Sequence, residues 1–272
     1  MTDPVLPPEL LARLCEFGRL THVEPATGGA ANMTFFARLD ATAVVVKVAT
    51  ADDRRMTVRR EGRLLPFLHD AELPVPAVLA VIDDPFPGFV ALVLERLPGV
   101  NGLAALSGAG APAAGGLVVD RAAELGRLAQ RVHCATLSAV ADRGEFDLAG
   151  GPGAPTVVRA EVALVHGDFG FHNTLWDERR CTGLLDWEVA GFGSPLTDLA
   201  WLWWTFAFRR VPVAAWPAFV EGYGRSAFGP LGWSPVAVLD VVLRLMTRWR
   251  PGAPEVWDSR IAALRELVVP EV

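Results

Sequence analysis

The sequence predicts an α+β chain in two parts: an N-terminal lobe of antiparallel strands with one helix, then a mostly helical C-terminal lobe. Three observations predict it. Short Val- and Phe-rich runs alternate with Gly and Pro turns over the first third of the chain. Apolar residues at helical spacing dominate from Pro195 onward. Between them, one Gly-containing loop gathers acid, imidazole and amide groups in His166-Gly-Asp-Phe-Gly-Phe-His-Asn173.

The 272 residues suffice for two lobes at the usual ~100–200 residues each. With 51% hydrophobic and 21% charged residues, this is a core-building chain rather than a disordered one. Lys+Arg 25 against Asp+Glu 31 gives a net charge of −6, which argues against a general nucleic-acid binder but not against a local cationic pocket. Met1-Thr-Asp-Pro-Val-Leu-Pro-Pro-Glu9 has neither the basic nor the apolar region of a secretory leader. The apolar run Leu199–Phe208 is half the ~20 residues of a membrane span. Cys15, Cys134 and Cys181 lack CxxC spacing and read as reduced thiols. A cytoplasmic protein, with no membrane or nucleic-acid partner, is the expectation.

In chain order, Pro8–Phe17 predicts a helix, followed by strands over Leu20–Glu24, Met33–Leu39 and Ala43–Val48. The glycines between Ala26 and Asn32 mark a tight turn. Asp52 or Asp53 is placed to cap a helix running to about His69, which Leu73-Pro-Val-Pro76 stops. Strands over Val78–Ile82 and Phe89–Leu94 complete a lobe at 1–98, closed by Pro98-Gly99 as a hinge. The second lobe, 99–272, opens with a loop or weak helix over Gly102–Gly116 and a firm helix over Val118–Leu137. A connector over Gly150–Pro155 and two strands, Ala163–His166 and Thr182–Leu185, follow. The remaining helices are expected at Leu196–Phe208, Ala214–Phe228, Pro235–Trp249 and Asp258–Val268.

Asp168 and Asn173 lie in the loop leaving the first of those two strands, and Asp186, in Leu184-Leu-Asp-Trp-Glu188, ends the second. A hairpin of the two strands would bring all three to one edge. Two carboxylates and an amide oxygen are hard ligands of the kind Mg²⁺ accepts. Phosphoryl transfer needs an Asp near the attacking hydroxyl, an Asn and an Asp on the metal, and a Lys on the phosphates. Lys47, inside Val44-Val-Val-Lys-Val48, needs a charge partner if buried. Glu61, on the following helix, is the candidate. The turn Thr27-Gly-Gly-Ala-Ala-Asn-Met-Thr34 lacks the GxxxxGK[ST] of a P-loop and sits between strands, as a loop folding over phosphates would.

On these residues the chain resembles the aminoglycoside phosphotransferase family, the small-molecule branch of the protein-kinase-like fold, whose relatives include choline, homoserine, fructosamine and macrolide kinases. The resemblance runs from the glycine turn to Asp198. It implies a two-lobe kinase-like fold with Asp168 as catalytic base and Asn173 and Asp186 as Mg²⁺ ligands. It further implies Lys47 on the nucleotide phosphates with Glu61 holding it, and Gly28, Gly29, Ala30, Ala31 and Asn32 as the nucleotide loop. Leu94, Glu95 and Arg96 would form the hinge that receives the base. Asp198, in Gly193-Ser-Pro-Leu-Thr-Asp198, resembles the family's structural aspartate. The chain departs from the commoner relatives at Phe169-Gly-Phe-His172, where they carry a Leu-His-Pro-Gly type of stretch.

The implied activity is Mg²⁺-dependent transfer of the γ-phosphate of ATP or GTP to a hydroxyl of a small molecule. The alternatives are a nucleotide-binding scaffold or sensor with little catalysis, and a protein kinase, for which the segment between Asp186 and Pro195 is short. His166 and His133 are expected to be structural, and His172 and Glu188 fit either a site or a solvated role. Beyond Leu199 the acids are Glu221, Asp240, Glu255, Asp258, Glu266 and Glu271, outnumbered by eight arginines. That balance, with Trp201, Trp203, Trp204, Trp216 and Trp233 nearby, favours an amphipathic or weakly charged acceptor over a polycationic one.

Overall fold

A computed structural model describes residues 5–26, 33–84, 88–107, 114–135 and 162–272. The glycine turn at 27–32 and the connector at 150–155 lie outside the described residues. The chain divides into two units. The first comprises Met1–Pro98 and the return segment Gly183–Glu188, and the second comprises Gly99–Thr182 and Val189–Val272. A single cut at residue 98 leaves that return segment out. It belongs with the first unit because the Leu184 N–H donates to the Pro74 carbonyl at 2.6 Å and the Trp187 N–H donates to Glu61 Oε1 at 3.1 Å.

The first unit opens with helix α1 (Pro8–Cys15) and continues through strands β1 (Leu20–Pro25), β2 (Met33–Leu39) and β3 (Thr42–Ala49) to helix α2 (Asp52–Asp70). Strands β4 (Val78–Asp84) and β5 (Phe89–Glu95) complete it. The five strands form one antiparallel sheet in the order β1-β2-β3-β5-β4. Alternation along β3 decides what each face does. Val44, Val46 and Val48 point into a buried cluster with Leu6, Leu10 and Leu14 beside and on α1, and with Phe35 and Val93 on neighbouring strands. Lys47, one residue out of phase, therefore faces the opposite side, which α2 covers. Leu64, Leu65 and Leu68 of α2 are fully buried, each contributing about 2 kcal/mol of apolar burial. Gly62 packs this helix close to β5 and β4: a Cβ there would sit 3.1 Å from Leu92 Cδ1 and 3.2 Å from Val81 Cγ2. The expected aspartate cap of α2 is corrected. Ala51 holds the cap position with no side-chain bond, while Asp52 pairs instead with Arg55, one turn on. A carboxylate in the first helical turn still meets the positive end of the helix dipole, so the start signal survives without the cap.

The second unit begins with β6 (Val100–Asn101), α3 (Gly102–Ser107) and the long helix α4 (Ala114–Cys134). Strands β7 (Ala163–Val165), β8 (Thr174–Asp177), β9 (Arg180–Leu184) and β10 (Gly191–Gly193) follow, β9 crossing back toward the return segment. Helices α5 (Leu196–Phe208), α6 (Ala215–Tyr223), α7 (Pro235–Trp249) and α8 (Pro254–Leu264) complete the chain. The expected hairpin between the two strands that bracket the polar loop is also corrected. β7 pairs with β10, Val165 opposite Gly191, and β8 lies beside β9 and β6. The sequence between Asn173 and Thr182 makes its own two-residue-turn hairpin, with Glu178 at φ 46°, so β7 must find its partner beyond Glu188.

Two glycines set the spacing of α4 against α6. A Cβ at Gly126 would lie 2.3 Å from the Phe219 carbonyl oxygen, and one at Gly222 2.0 Å from that of Ala123. Arg121, buried on α4, donates to the carbonyls of Glu178 (2.6 Å) and Ala105 (2.8 Å), tying α4 to the β8–β9 turn and to α3. Helix α5 is buried almost throughout, which explains why its residues other than Thr197, Asp198 and Thr205 are apolar.

Candidate functional site

The side chains singled out by the sequence form two clusters, one in each unit. In the first unit, Lys47 on β3 sits opposite Thr34 of β2 and Leu92 of β5. Its Nζ donates to Glu61 Oε2 at 2.7 Å, Asp186 Oδ1 at 2.9 Å and Glu188 Oε1 at 2.7 Å. Thr57 Oγ1, on α2, donates to Glu188 Oε2 at 3.4 Å. Strand parity aims Lys47 at α2, and the return segment delivers the other two acids. Asp186 adopts φ 66°, a left-handed conformation that Asp tolerates better than most residues. Burial works to lower the Lys47 ammonium, but the charges of Glu61, Asp186 and Glu188 outweigh it and hold it well above its ordinary value. Burial lifts the Glu61 carboxyl to about 7 against the pull of Lys47, helped by repulsion from Asp186 and Glu188. Glu188 is raised for the same reasons. Three carboxyls share one ammonium, and their oxygens lie within 4.8 Å of one another.

In the second unit the loop after β7 is held from behind. Asp198, fully buried in the first turn of α5, accepts the His166 N–H on Oδ2 and the Gly167 N–H on Oδ1, both at 2.7 Å. Its Oδ2 also lies 3.0 Å from His133 Nε2, and the other ring nitrogen of His133 lies 2.9 Å from the Tyr223 hydroxyl. A carboxylate with two backbone N–H partners and an imidazole is a satisfied buried charge. Gly167 takes φ 82°, and a Cβ there would meet the Val189 carbonyl oxygen at 2.7 Å, so the turn needs glycine for both reasons.

That fixed turn presents Asp168. Trp201 Nε1 donates to its Oδ1 at 2.6 Å, and His172 Nε2 lies 3.0 Å from the same oxygen. Asn173 Nδ2 donates to the Asp168 backbone carbonyl at 2.9 Å and to Oδ2 at 3.1 Å. The Asn173 side-chain oxygen takes no hydrogen bond from a described residue. Gly170 makes room for His172: a Cβ there would lie 2.7 Å from the imidazole Cε1. Asp168 opens on a cavity of about 210 Å³ lined also by His172, Trp201, Trp204, Thr205 and Phe208.

Of the remaining candidates, Gly28, Gly29, Ala30, Ala31 and Asn32 lie outside the described residues. Leu94 lies opposite Val45 in the β3–β5 ladder, which Glu95 closes opposite Val44. The N–H groups of Glu95 and Arg96 donate to the carbonyls of Ala77 (2.9 Å) and Ala43 (3.1 Å), and the Arg96 guanidinium rests 4.1 Å above the Phe36 ring. The sequence alone does not assign Glu188 to the lysine, nor His172 and Trp201 to Asp168. Trp201 stands in a wholly apolar run where nothing marks its indole N–H as polar. A signal for Lys47 was present, however: of the 25 basic side chains it is the one lysine, the others being arginine.

An antiparallel unit carrying a lysine among acids, and a helical unit carrying an Asp/Asn loop, define the protein-kinase-like fold of the small-molecule phosphotransferases. Structural comparison agrees. A thermostable mutant of aminoglycoside phosphotransferase APH(4)-Ia in complex with AMP-PNP and hygromycin B superposes with a TM-score of 0.64 at 18% identity, covering 95% of this chain and 98% of that one. The GDP and kanamycin complex of APH(2″)-IIIa gives 0.65 at 12% identity, over 95% and 97%. Residues 22–157 and 152–239 match the phosphotransferase enzyme family, and the chain belongs to that family. Curated relatives match over shorter stretches. Acyl-CoA dehydrogenase family member 11 of Mus musculus is 49% identical over 45 residues, 16% of this chain and 6% of that protein. Viomycin phosphotransferase of Streptomyces vinaceus is 38% identical over 63 residues, 22% of this chain and 21% of that protein. The chain thus spans a small part of the length of the curated relatives it matches. No described helix is long and apolar enough to cross a membrane.

Proposed function

We propose that this protein transfers the γ-phosphoryl group of ATP or GTP to a hydroxyl of a small-molecule acceptor, with Mg²⁺ as cofactor. The observation that carries the reading is the way Asp168 is held. Its Oδ1 accepts from Trp201 and faces His172, while among the described residues Oδ2 accepts only from Asn173. A carboxylate oxygen offers about two lone pairs, so Oδ2 keeps one for an incoming hydroxyl. As the acceptor oxygen bonds to the γ-phosphorus, the bond from that phosphorus to the β–γ bridging oxygen breaks, and the diphosphate leaves with the electron pair. The hydroxyl proton passes to Asp168 Oδ2 and then to solvent. Asp168 orients the hydroxyl before it takes the proton, in keeping with a loose transition state. Trp201, His172 and Asn173 keep the carboxylate from swinging, which is where positioning acts on the rate.

Lys47 takes the nucleotide phosphates, with Glu61 holding the ammonium in place. The resemblance implies Asn173 and Asp186 as the residues that would hold Mg²⁺, and by chemistry an amide oxygen and a carboxylate are both hard oxygen ligands. When bound, Mg²⁺ supplies charge neutralisation on the phosphate oxygens. Residues 28–32 and the run Leu94–Arg96 are the proposed nucleotide loop and base-binding hinge. At that hinge a base would meet backbone carbonyls, since the Glu95 and Arg96 N–H groups are engaged. In this reading the 1–98 part binds nucleotide and the 99–272 part binds acceptor.

The test is Mg²⁺- and nucleotide-dependent phosphate transfer to a panel of amino alcohols, sugars, macrolides and aminoglycosides, with Asp168→Asn beside the wild type. General-base loss costs about 10²–10⁴-fold, and acceptor-stimulated turnover in the variant should fall by about a thousandfold with nucleotide affinity retained. Nucleotide binding without transfer in either protein would favour a scaffold and overturn the proposal.

A further inference from the structure

Within the second unit, the cavity beside Asp168 has a wall that the transfer step does not use. Trp249 and Trp257 join Trp201, Trp204 and Phe208 as rings around it, and Arg209 and Arg260 stand among them. Among the described residues Asp168 is the one carboxylate lining the cavity, and its oxygens already face Trp201, His172 and Asn173. Neither arginine has a carboxylate partner among the described residues. Other arginines of the same unit do: Arg244 pairs with Asp240, and Arg250 with Asp258 at 2.6 Å.

The two guanidiniums are held instead by rings. Arg260 lies 5.0 Å above the Phe208 ring and 4.4 Å above Trp257, and Arg209 lies 5.8 Å from the same Phe208. Sharing a ring brings them together, and burial, followed by repulsion from Arg209, lowers the Arg260 guanidinium from its ordinary value. With Arg209 beside it, an apolar wall around it and no acid between the two among the described residues, the Arg260 charge is disfavoured until an anion arrives. Such a wall repels a polycation and offers planar forks to an oxyanion.

We propose that the acceptor is a hydroxylated anion with an apolar, ring-bearing body. Its hydroxyl sits at Asp168, its body lies against the tryptophans, and its carboxylate or phosphate is held by Arg209 and Arg260. This rests on the phosphotransferase reading above for the role of Asp168, but the wall's preference can be measured without turnover. The lining tryptophans report binding through their emission. In titrations without nucleotide the probes are 3-phenyllactate, its neutral methyl ester, the cationic phenylalaninol, phenyl phosphate and kanamycin.

Phenyllactate should bind about tenfold more tightly than its ester, a difference of about 1.4 kcal/mol, and more tightly than phenylalaninol or kanamycin. Phenyl phosphate distinguishes the two oxyanions. The preference should shrink toward the ester's level in Arg260→Gln and in Arg209→Gln, and Arg260→Lys should restore part of it. Tighter binding of kanamycin or phenylalaninol overturns the proposal. So does a preference that the arginine variants leave unchanged, or emission that no probe alters at millimolar concentration. Anion preference without phosphate transfer would sink the kinase reading alone, while transfer with a polycation preferred would sink this inference alone.

Discussion

Lys47 in the first unit and Asp168 in the second are both charges held by neighbouring side chains, but their surroundings are of opposite kinds. The ammonium is met by three carboxyls, so its cluster is over-supplied with negative charge and one of them, Glu61, is pushed up to about 7. The carboxylate is met by an indole, an amide and an imidazole, groups that fix direction without adding a formal opposite charge unless His172 is protonated. One cluster is held by charge and the other by geometry. Removing the central group of the first should therefore damage folding, while trimming the second should damage positioning.

The largest effect that would break the contrast is expected at Lys47→Met. Taking the cation from between buried acids costs about 3–5 kcal/mol, and urea unfolding of the variant should show that loss. Because the Lys47 ammonium is raised above its ordinary 10.5, the stability it supplies is complete below that pH. It is lost as pH climbs through the higher folded value. The variant should lack this alkaline limb, and a variant as stable as the wild type would mean that charge is not what holds the first cluster.

Trp201→Phe comes next and tests the other side. It keeps the ring in the cavity wall and deletes the donor to Asp168, so turnover should drop by about tenfold, equivalent to about 1.4 kcal/mol of barrier. The thermal midpoint should move little. A fall in stability matching that of Lys47→Met would show that the second cluster is structural as well.

The smallest effect sharpens the role of burial. Arg59 and Asp83 make an ion pair through two N–H groups, Nη2 to Oδ1 at 2.7 Å, on the exposed face of the first unit. The hydrogen bond from Arg59 holds the Asp83 carboxyl below its ordinary 3.8, so its contribution is present above that pH and is lost as pH falls below it. With side chains 32% and 44% exposed, solvent should limit the pair to under about 1 kcal/mol. Asp83→Asn should flatten the acid limb of the stability curve slightly, and a larger change would put this pair on a level with the buried cluster.

How much of this was legible in the sequence depended on the range of the interactions concerned. β2, α5 and α7 fall on the residues expected, because apolar period and Gly or Pro punctuation are local signals. The helix expected at Asp258–Val268 begins instead at Pro254, and that expected over Ala214–Phe228 ends at Tyr223, where Gly224 turns to φ 102°. Strand β7, at Ala163–Val165, falls within the expected Ala163–His166, whereas the two- and three-residue strands β6 and β10 exist only through their partners, so nothing local defines their bounds. Of the site, the Asp168–Asn173 loop and the Lys47–Glu61 pair could be read directly. The contacts of Lys47 with Asp186 and Glu188 span 139 and 141 positions, and no periodicity reports such convergence. The arginine excess and the tryptophans beyond Leu199 were legible as composition, but the contact of Trp201 with Asp168 spans 33 positions and could not be read from either.

The return of Gly183–Glu188 to the first unit has a consequence for how the chain is made. A nascent polypeptide emerging N-terminus first exposes Lys47 and Glu61 early, yet Asp186 and Glu188 leave the ribosome some 90 residues after Pro98 (188 − 98). At about 5–20 residues per second, that delay is about 5–18 s. During that interval the sheet and α2 stand with half of their charge cluster unmade and with Trp187, fully buried in the finished protein, still to arrive. The first unit is thus encoded early and completed late, and its final closure waits on translation of half of the second.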